Sequence, residues 1–325
     1  MGTIILGTGS TLPRRTMSNV DLESIVETSD EWIRTRTGIE NRRIGGVGEK
    51  TYQLAASAAK KALEMAAVDP KDIDMLVVGT VSSHMLMPSC GCYVQNEIGA
   101  AKAFAYDINA ACCGFLYGLD IGDRRIRTDR DAKILVIGAE TLSSRVNWQD
   151  RNTCILFGDG AGAAVLGHSE DPSRRILGTN HCSDGGLWEL LYMHQSPSQN
   201  PDLLVEDNPG VHIVMEGREV FKHAVKAMED AITGLFKRTG KTIEDVDLVI
   251  PHQANIRILN NLVERLGIDR EKVVLNVMNY GNTSAASIPI ALDETNRSGR
   301  LKTGDTVLFC SFGGGLTWGA TLLTW

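Results

Sequence analysis

An internal repeat constrains the fold of this chain more than any other feature of its sequence. Three pairs of segments match at a single offset of 173 residues, which is hard to obtain by chance. The repeat therefore predicts two halves that share one fold. The matching pairs are KDIDMLVVGT (71–80) with EDVDLVIPHQ (244–253), AKILVIGAET (132–141) with DTVLFCSFGG (305–314), and DINAACCG (107–114) with YGNTSAAS (280–287).

Each half is predicted to be a layered α/β unit. Its strands are continuous runs of Val, Ile and Leu separated by helical segments, which is typical of sheets covered on both faces. The polar stretch GHSEDPSRR (167–175), which contains Pro172, separates the two repeats. We therefore expect an N-terminal half over residues 1–170 and a C-terminal half over residues 171–325, related by a pseudo-twofold axis.

Composition and charge exclude several classes of protein. The 325 residues carry a net charge of −7, which argues against a nucleic-acid-binding protein. No apolar run approaches the ~18 residues of a membrane span, and the N-terminus lacks the charged leader of a secretory signal. The seven cysteines lie mostly within apolar runs, as expected of reduced thiols. We therefore expect a cytoplasmic protein with no membrane or nucleic-acid partner.

Two adjacent cysteines, Cys112 and Cys113, lie where a predicted strand (104–108) turns into a predicted helix. Unpaired N–H groups and the positive end of a helix lower the pKa of a thiol and favour a nucleophilic thiolate. Only one of the two can face a given cavity, because neighbouring residues on a helix point about 100° apart. The residues alone leave open which cysteine that is, or whether both are small buried hydrophobic residues.

Two further motifs place polar side chains beside predicted strands. PHQANIR (251–257) puts His252 at the end of a strand, where it can act as an acid, a base or a hydrogen-bond donor. NYGNTSAAS (279–287) puts Asn282 in the turn that the repeat aligns with the cysteine turn. A side-chain amide there can donate to an oxyanion, although a structural histidine and a helix-capping asparagine remain open alternatives.

Glycine-rich segments indicate backbone that can approach a ligand. FGGGLTWG (312–319) can aim N–H groups at an oxyanion, although a tight bulge between strands explains the triplet equally well. GTGSTL (7–12) and GDGAG (158–162) miss the spacing of a dinucleotide fingerprint, so nucleotide redox chemistry is not expected. Cys90 and Cys92 have no matching Cys or His pair elsewhere, so we expect no structural zinc site.

The motifs taken in order resemble the 3-oxoacyl-[acyl carrier protein] synthase III family of the thiolase-fold superfamily. This resemblance covers nearly the whole chain and implies a thiolase-like fold, an α/β class in which two halves form a five-layered α-β-α-β-α sandwich, and a homodimer. The segments that carry it are TSDEWIRTRTGIENRR (28–43), DINAACCGF (107–115), RNTCILFGDGAGAAVL (151–166), PHQANIRI (251–258), YGNTSAAS (280–287) and FGGGLTWG (312–319).

The resemblance also implies a reaction and the residues that perform it. Cys112 would be acylated by an acyl-CoA, with acetyl-CoA as the expected donor, while Cys113 would occupy a small-residue position. The backbone N–H groups of Cys112 and Gly314 would form the oxyanion hole. His252 and Asn282 would then assist the decarboxylative condensation with malonyl-acyl carrier protein. No metal and no cofactor is expected, because acyl-CoA is a substrate and decarboxylation itself generates the carbon nucleophile.

The resemblance further assigns binding residues. Trp32 and Arg151 would sandwich the adenine of CoA, with an aromatic face and a guanidinium plane that suit a flat base. Met87 would come from the partner subunit and close the acyl pocket. The remaining assignments are Thr28, Arg36 and Asn255 near the CoA, Gly217 and Phe221 along the entrance tunnel, and Lys222 and Arg257 at the carrier-protein surface.

Two alternative functions remain compatible with these motifs. One is a related thiolase-fold acyltransferase or synthase of secondary metabolism, although HQAN and GNTSAAS favour the priming synthase. The other is a non-catalytic subunit that binds carrier protein, which would not need the complete set of Cys112, His252 and Asn282. The sequence does not determine the chain length or branching of the primer.

Overall fold

A computed structural model describes residues 2–196 and 210–325 of the protein. Its strands are β1 (Gly2–Thr11), β2 (Arg15–Ser18), β3 (Asn41–Ile44), β4 (Met75–Gly79), β5 (Phe104–Ile108), β6 (Ile134–Thr141), β7 (Asp159–Ser169), β8 (Arg175–Ser183), β9 (Leu191–Met193), β10 (Ile213–Met215), β11 (Leu248–Pro251), β12 (Thr306–Gly313) and β13 (Thr317–Thr324). Its α-helices are α1 (Asn19–Glu23), α2 (Asp30–Thr37), α3 (Thr51–Ala66), α4 (Cys90–Ile98), α5 (Gly114–Thr128), α6 (Arg151–Cys154), α7 (Gly217–Thr239), α8 (Ile256–Leu266), α9 (Val277–Tyr280) and α10 (Ser287–Arg297).

The internal repeat of the sequence corresponds to two sheets of matching topology in the structure. The N-terminal sheet has the order β1-β7-β6-β4-β5, with β4 parallel to both β5 and β6 and with β7 antiparallel to its neighbours. The C-terminal sheet has the order β8-β13-β12-β11, with β11 parallel to β12 and with β13 antiparallel to its neighbours. Thus β1, β7, β6 and β4 correspond to β8, β13, β12 and β11. The predicted pair of pseudo-symmetric halves is confirmed.

Helices cover both faces of both sheets. Alanines of α3 pack with α4 against one face of the N-terminal sheet. The opposite face packs on α5 and α10, which also cover the C-terminal sheet through residues such as Phe115 and Ile288. The far side of the C-terminal sheet is covered by α7 and α8. The order of layers is therefore α-β-α-β-α, as predicted.

The chain passes from the N-terminal sheet to the C-terminal sheet between β7 and β8. All strands of the N-terminal sheet end by Ser169, and all strands of the C-terminal sheet begin at or after Arg175. We therefore propose the division into residues 1–170 and 171–325. The helix layer between the sheets is shared, since α10 of the second half packs on β1 and β7 of the first.

Two short 3-10 turns at equivalent places in the two halves carry polar or nucleophilic side chains between the sheets. Ala111–Cys113 precedes α5, and Ser284–Ala286 precedes α10, 173 residues further along. The first residue of each turn has a left-handed backbone, with φ of +43° at Ala111 and +49° at Ser284. A side chain at Gly138 of β6 would collide with the carbonyl of Ala285, so β6 lies directly against the second turn.

Candidate active site

A large cavity of about 1150 Å³ gathers most of the residues selected from the sequence. It exceeds the roughly 300–1,000 Å³ of an ordinary ligand pocket and therefore has room for an extended substrate. Cys112, His252 and Asn282 all line it, although they come from different elements. The other predicted residues that line it are Trp32, Arg36, Gly217, Phe221, Asn255 and Gly314.

Cys112 lies in the 3-10 turn between β5 and α5, with only 8% of its surface exposed. Ser311 of β12 holds this turn by donating its hydroxyl proton to the carbonyl of Cys112 at 2.9 Å. Gly313 allows the close approach, because a Cβ there would lie 2.7 Å from the backbone nitrogen of Cys112. Cys113 is fully buried and does not line the cavity in the described part of the chain.

Burial dominates the ionisation of the Cys112 thiol. It raises the pKa to about 12, against a hydrogen bond from the Ser284 hydroxyl that lowers it. Electrostatic interaction with Cys113 and with Glu140 raises the pKa further. The sequence predicted a lowered pKa from the adjoining helix, but it gave no measure of how deeply the turn is buried between two sheets. The resting thiol is therefore protonated and needs a proton acceptor before it can attack.

His252 directly follows β11, and its backbone N–H donates to the carbonyl of Cys310 at 2.8 Å. Its Nδ1 lies 2.7 Å from the Ser287 hydroxyl, and that oxygen also accepts the N–H of Gln253 at 3.2 Å. Because the hydroxyl has no other hydrogen-bond partner among the described residues, we infer that it donates its proton to Nδ1 and that the histidine proton resides on Nε2. Burial lowers the pKa of His252 to about 3, so the ring is neutral.

Asn282 is fixed in the turn that precedes α10. Its backbone N–H donates to Leu156, and its carbonyl accepts from Gly158, at 2.8 and 3.0 Å. Its side-chain oxygen accepts the N–H of Ser284 at 2.8 Å, which leaves the side-chain NH₂ group available to the cavity. His252 and Asn282 therefore both present hydrogen-bond donors to the space beside Cys112.

Gly314 lies immediately after β12 and lines the same cavity. A Cβ at this position would lie 3.0 Å from the carbonyl of Leu191 and 3.6 Å from the Cβ of Ala111, so the backbone passes close to the cysteine turn. This placement is compatible with the expected pairing of the Cys112 and Gly314 N–H groups. The role itself stays a prediction.

Two of the predicted CoA residues, Trp32 and Arg36, line the cavity, and Arg36 and Arg151 both contact Trp32. The guanidinium carbons of Arg36 and Arg151 each lie 4.6 Å from the centre of the Trp32 ring. Arg151 also donates to the carbonyl of Glu27 at 3.1 Å. Arg151 is thus too close to Trp32 for a base to fit between them. The predicted adenine sandwich requires the Arg151 side chain to swing away.

Five predicted residues do not line the cavity in the described part of the chain. The hydroxyl of Thr28 is buried without a hydrogen-bond partner there. Arg151 stacks on Trp32 as described above. Lys222 pairs with Glu219 at 2.7 Å on the surface, and the Arg257 guanidinium lies 5.7 Å from the centre of the Phe221 ring, which lines the cavity. Met87 is 83% exposed on the surface of its own chain.

Sequence reasoning missed three polar side chains around the triad. Ser284 and Ser287 lie in the motif that supplies Asn282, and both contact functional groups. Glu140 is completely buried near the end of β6. The sequence feature that could have indicated Glu140 is an acidic residue near the end of an otherwise apolar strand.

Within residues 2–196 and 210–325, no cluster of His, Cys, Asp and Glu has the make-up of a metal site. Over the same ranges no helix has both the length and the apolar character needed to cross a membrane. All seven cysteines are free.

Comparison with known proteins identifies the family. A family model described as 3-oxoacyl-[acyl-carrier-protein] synthase III matches residues 106–185, and the model of its C-terminal part matches residues 236–325. A beta-ketoacyl-[acyl-carrier-protein] synthase III of Desulfotalea psychrophila is 57% identical over 325 residues and covers 100% of both chains.

Solved structures give the same result. The 3-oxoacyl-[acyl-carrier-protein] synthase III of Aquifex aeolicus has a TM-score of 0.93 and 49% identity, with 100% of both chains covered. The beta-ketoacyl-[acyl carrier protein] synthase III of Thermus thermophilus has a TM-score of 0.92 and 42% identity, covering 99% of this chain and 98% of its own. The predicted thiolase-like fold is confirmed, and the chain belongs to the 3-oxoacyl-[acyl-carrier-protein] synthase III family.

Proposed function

We propose that this chain performs the reaction of its family through Cys112, His252 and Asn282. As a family member it is an acyltransferase, the priming condensing enzyme of fatty-acid synthesis. One observation carries the assignment of residues: a buried thiol and two neutral hydrogen-bond donors line a single cavity. A subunit that only bound carrier protein would not need this set.

In the first half-reaction the sulfur of Cys112 attacks the thioester of an acyl-CoA, with acetyl-CoA as the expected donor. The N–H groups of Cys112 and Gly314 hold the oxyanion of the tetrahedral intermediate. Its collapse breaks the bond to the CoA sulfur, and CoA leaves with a proton. The acyl group then remains on Cys112.

In the second half-reaction malonyl-acyl carrier protein enters the same cavity. Nε2–H of His252 and the NH₂ group of Asn282 donate to its thioester oxygen. Carbon dioxide leaves, and the electron pair of the broken C–C bond forms an enolate that these donors stabilise. The enolate carbon attacks the acyl group on Cys112, which releases the thiolate and 3-oxoacyl-carrier protein. A neutral histidine suits this role, because it donates without having to lose a proton.

The substrates are expected to enter from the side of Trp32. Trp32 and Arg36 would contact the adenine and phosphates of CoA once Arg151 has moved, and Asn255, Gly217 and Phe221 would line the approach. Lys222 and Arg257 would meet the acidic carrier protein beside that entrance. No metal or organic cofactor enters the scheme, because loss of carbon dioxide supplies the nucleophile.

We also propose a homodimer formed along β5. This strand ends the N-terminal sheet, and its first residue, Phe104, is 55% exposed. Leu86 and Met87, in the loop between β4 and α4, are each 83% exposed. Pairing of two β5 edges would cover these side chains and carry Met87 to the partner's acyl pocket. Free cysteines throughout suit a reducing compartment, for which we propose the cytoplasm.

The test is direct detection of the acyl-enzyme. The protein is incubated with acetyl-CoA, and the peptide that contains Cys112 and Cys113 is examined by mass spectrometry. We expect one acetyl group in the wild type and in C113S, and none in C112S. Acetylation that survives in C112S would overturn the assignment of the nucleophile. Formation of 3-oxoacyl product after addition of malonyl-acyl carrier protein then separates a synthase from a simple acyltransferase.

A further inference from the structure

Gln253 is a buried amide side chain that the reaction described above does not use. It follows His252 directly in the PHQAN motif, and only 1% of its surface is exposed. It does not line the cavity in the described part of the chain. A buried amide costs stability unless its oxygen and its NH₂ group have partners, and such a group offers four hydrogen-bonding positions. In Gln253 all four are used.

These four bonds join the end of β11 to the start of α9. The NH₂ group of Gln253 donates to the carbonyl of Pro251, the last residue of β11, at 2.8 Å and to that of Val274 at 3.0 Å. Its oxygen accepts the N–H groups of Asn276 at 2.9 Å and of Val277 at 3.2 Å. The side chain of Asn276, which precedes α9, makes no capping hydrogen bond to that helix. Gln253 therefore supplies the acceptor that the first N–H groups of a helix require.

The helix that Gln253 caps leads directly to Asn282. It ends at Tyr280, and its turn closes where the N–H of Gly281 donates to the carbonyl of Val277 at 2.9 Å. Val277 thus bonds to Gln253 through its N–H and to the residue before Asn282 through its carbonyl. A single residue connects the amide of Gln253 to the turn that presents Asn282.

The backbone of Gln253 is bonded to the group that orients His252. Its N–H donates to the Ser287 hydroxyl at 3.2 Å, and the same oxygen lies 2.7 Å from Nδ1 of His252. His252 itself is held on the sheet, because its N–H donates to the carbonyl of Cys310 at 2.8 Å. Gln253 therefore connects a histidine fixed on the sheet to the helix that ends beside Asn282.

We propose that Gln253 is a positioning residue that sets the place of Asn282 relative to His252. In the proposed second half-reaction these two side chains donate to one thioester oxygen, so their separation must match a single acceptor. Gln253 acts on that step only through Asn282, because it does not reach the cavity. Asparagine at this position would be one methylene group too short, and glutamate lacks the NH₂ group. This inference rests on the proposed function, because it explains how the donors of that reaction are held.

The isosteric variant Q253E tests this role. It keeps the length of the side chain and leaves at most one of the two donors that bond to Pro251 and Val274. We expect single-turnover condensation of pre-acetylated Q253E with malonyl-acyl carrier protein to fall by about 10²-fold, as a misplacement of about 1 Å does. Acetylation of Cys112 should change by less than about threefold, because Asn282 takes no part in it in the proposed scheme. Wild-type condensation, or equal loss in both half-reactions, overturns the proposal.

A double-mutant cycle with N282A separates positioning of Asn282 from any other effect. N282A removes the group that Gln253 positions, so Q253E should slow condensation by less than about twofold in that background. A loss in the double variant that equals the product of the two single losses would show that Gln253 acts by another route. That result overturns the proposal.

N180D is the matched control for the change of an amide to a carboxyl group. The side-chain amide of Asn180 donates to the carbonyl of Ala231 at 2.8 Å from β8, which lies three strands away from β11 in the same sheet. We expect wild-type rates in both half-reactions, and a selective loss of condensation in N180D would overturn the proposal. Thermal unfolding reports whether Q253E folds, and Q253N replaces it if it does not. If neither variant folds, Gln253 serves stability alone and the positioning role is refuted.

The wild type distinguishes failure of this inference from failure of the proposed function. If the wild type is not acetylated at Cys112, or forms no 3-oxoacyl product, the proposed function fails and the positioning role fails with it. If the wild type completes both half-reactions and Q253E condenses at the same rate, the proposed function stands and only the positioning role fails.

Discussion

Ser287 determines which nitrogen of His252 carries the proton, and its removal should impair one half-reaction only. The hydroxyl lies 2.7 Å from Nδ1 and accepts the N–H of Gln253 at 3.2 Å. S287A removes both contacts at once. The imidazole then has no donor to hold Nδ1 as an acceptor, and the tautomer with the proton on Nδ1 becomes accessible. In that tautomer Nε2 can no longer donate to the thioester oxygen of the malonyl group.

The expected magnitudes follow from these two contacts. A buried Gln253 N–H without a partner costs about 1–3 kcal/mol of stability. Loss of one donor to a developing oxyanion typically costs about 10²–10³-fold in rate. We therefore expect single-turnover condensation of pre-acetylated S287A with malonyl-acyl carrier protein to fall by about that factor. Acetylation by acetyl-CoA should change by less than about threefold, because in the proposed scheme His252 takes no part in it.

The assay has a spectroscopic and a kinetic readout. ¹⁵N chemical shifts of His252 report the tautomer directly, and we expect Nε2–H in the wild type and a mixture in S287A. S287T restores a hydroxyl at the same place and serves as the matched control, with recovery of both readouts. If S287A retains the wild-type tautomer and condenses within a factor of two of the wild type, the reasoning is refuted.

Three other perturbations probe the fold and the entrance. Burial lowers the pKa of His181 to about 4, so as the pH drops the unfolded chain binds a proton before the folded protein does, and stability falls. Urea unfolding should therefore show the wild type losing about 2 kcal/mol more of its free energy of unfolding between pH 7.5 and 5 than H181F loses. G138A should lower the thermal midpoint and slow Cys112 acetylation, because the added Cβ meets the carbonyl of Ala285, whereas G185A, which points into open space, should do neither. W32A should raise the KM for acetyl-CoA by roughly tenfold or more with kcat nearly unchanged, since stacking on an aromatic ring is worth ~1–3 kcal/mol per base; equal losses in kcat would contradict a binding role.

The architecture was predictable from sequence because the patterns of apolar strands and helices that determine it are local and occur twice. Apolar strands and helices at one offset predict two equivalent sheets, and motifs at strand ends predict which side chains face the cavity. Electrostatics was not predictable in the same way. The direction of the Cys112 pKa depends on burial between two sheets, which no local pattern records. The closure of Arg151 onto Trp32 depends likewise on side chains that come from distant segments.

The repeat also explains how the two halves divide the chemistry. The side-chain oxygen of Asn109 accepts a backbone N–H two residues later at 3.4 Å, and Asn282 makes the equivalent bond at 2.8 Å. The same local turn therefore occurs in both halves, and its second residue is Cys112 in the N-terminal half and Ala285 in the C-terminal half. Gly138 lets β6 pass directly against the backbone of Ala285 in the second turn, and Ser284 of the same turn lines the cavity with Cys112. The C-terminal half therefore supplies His252, Asn282 and Ser284 to the cavity that Cys112 of the N-terminal half lines.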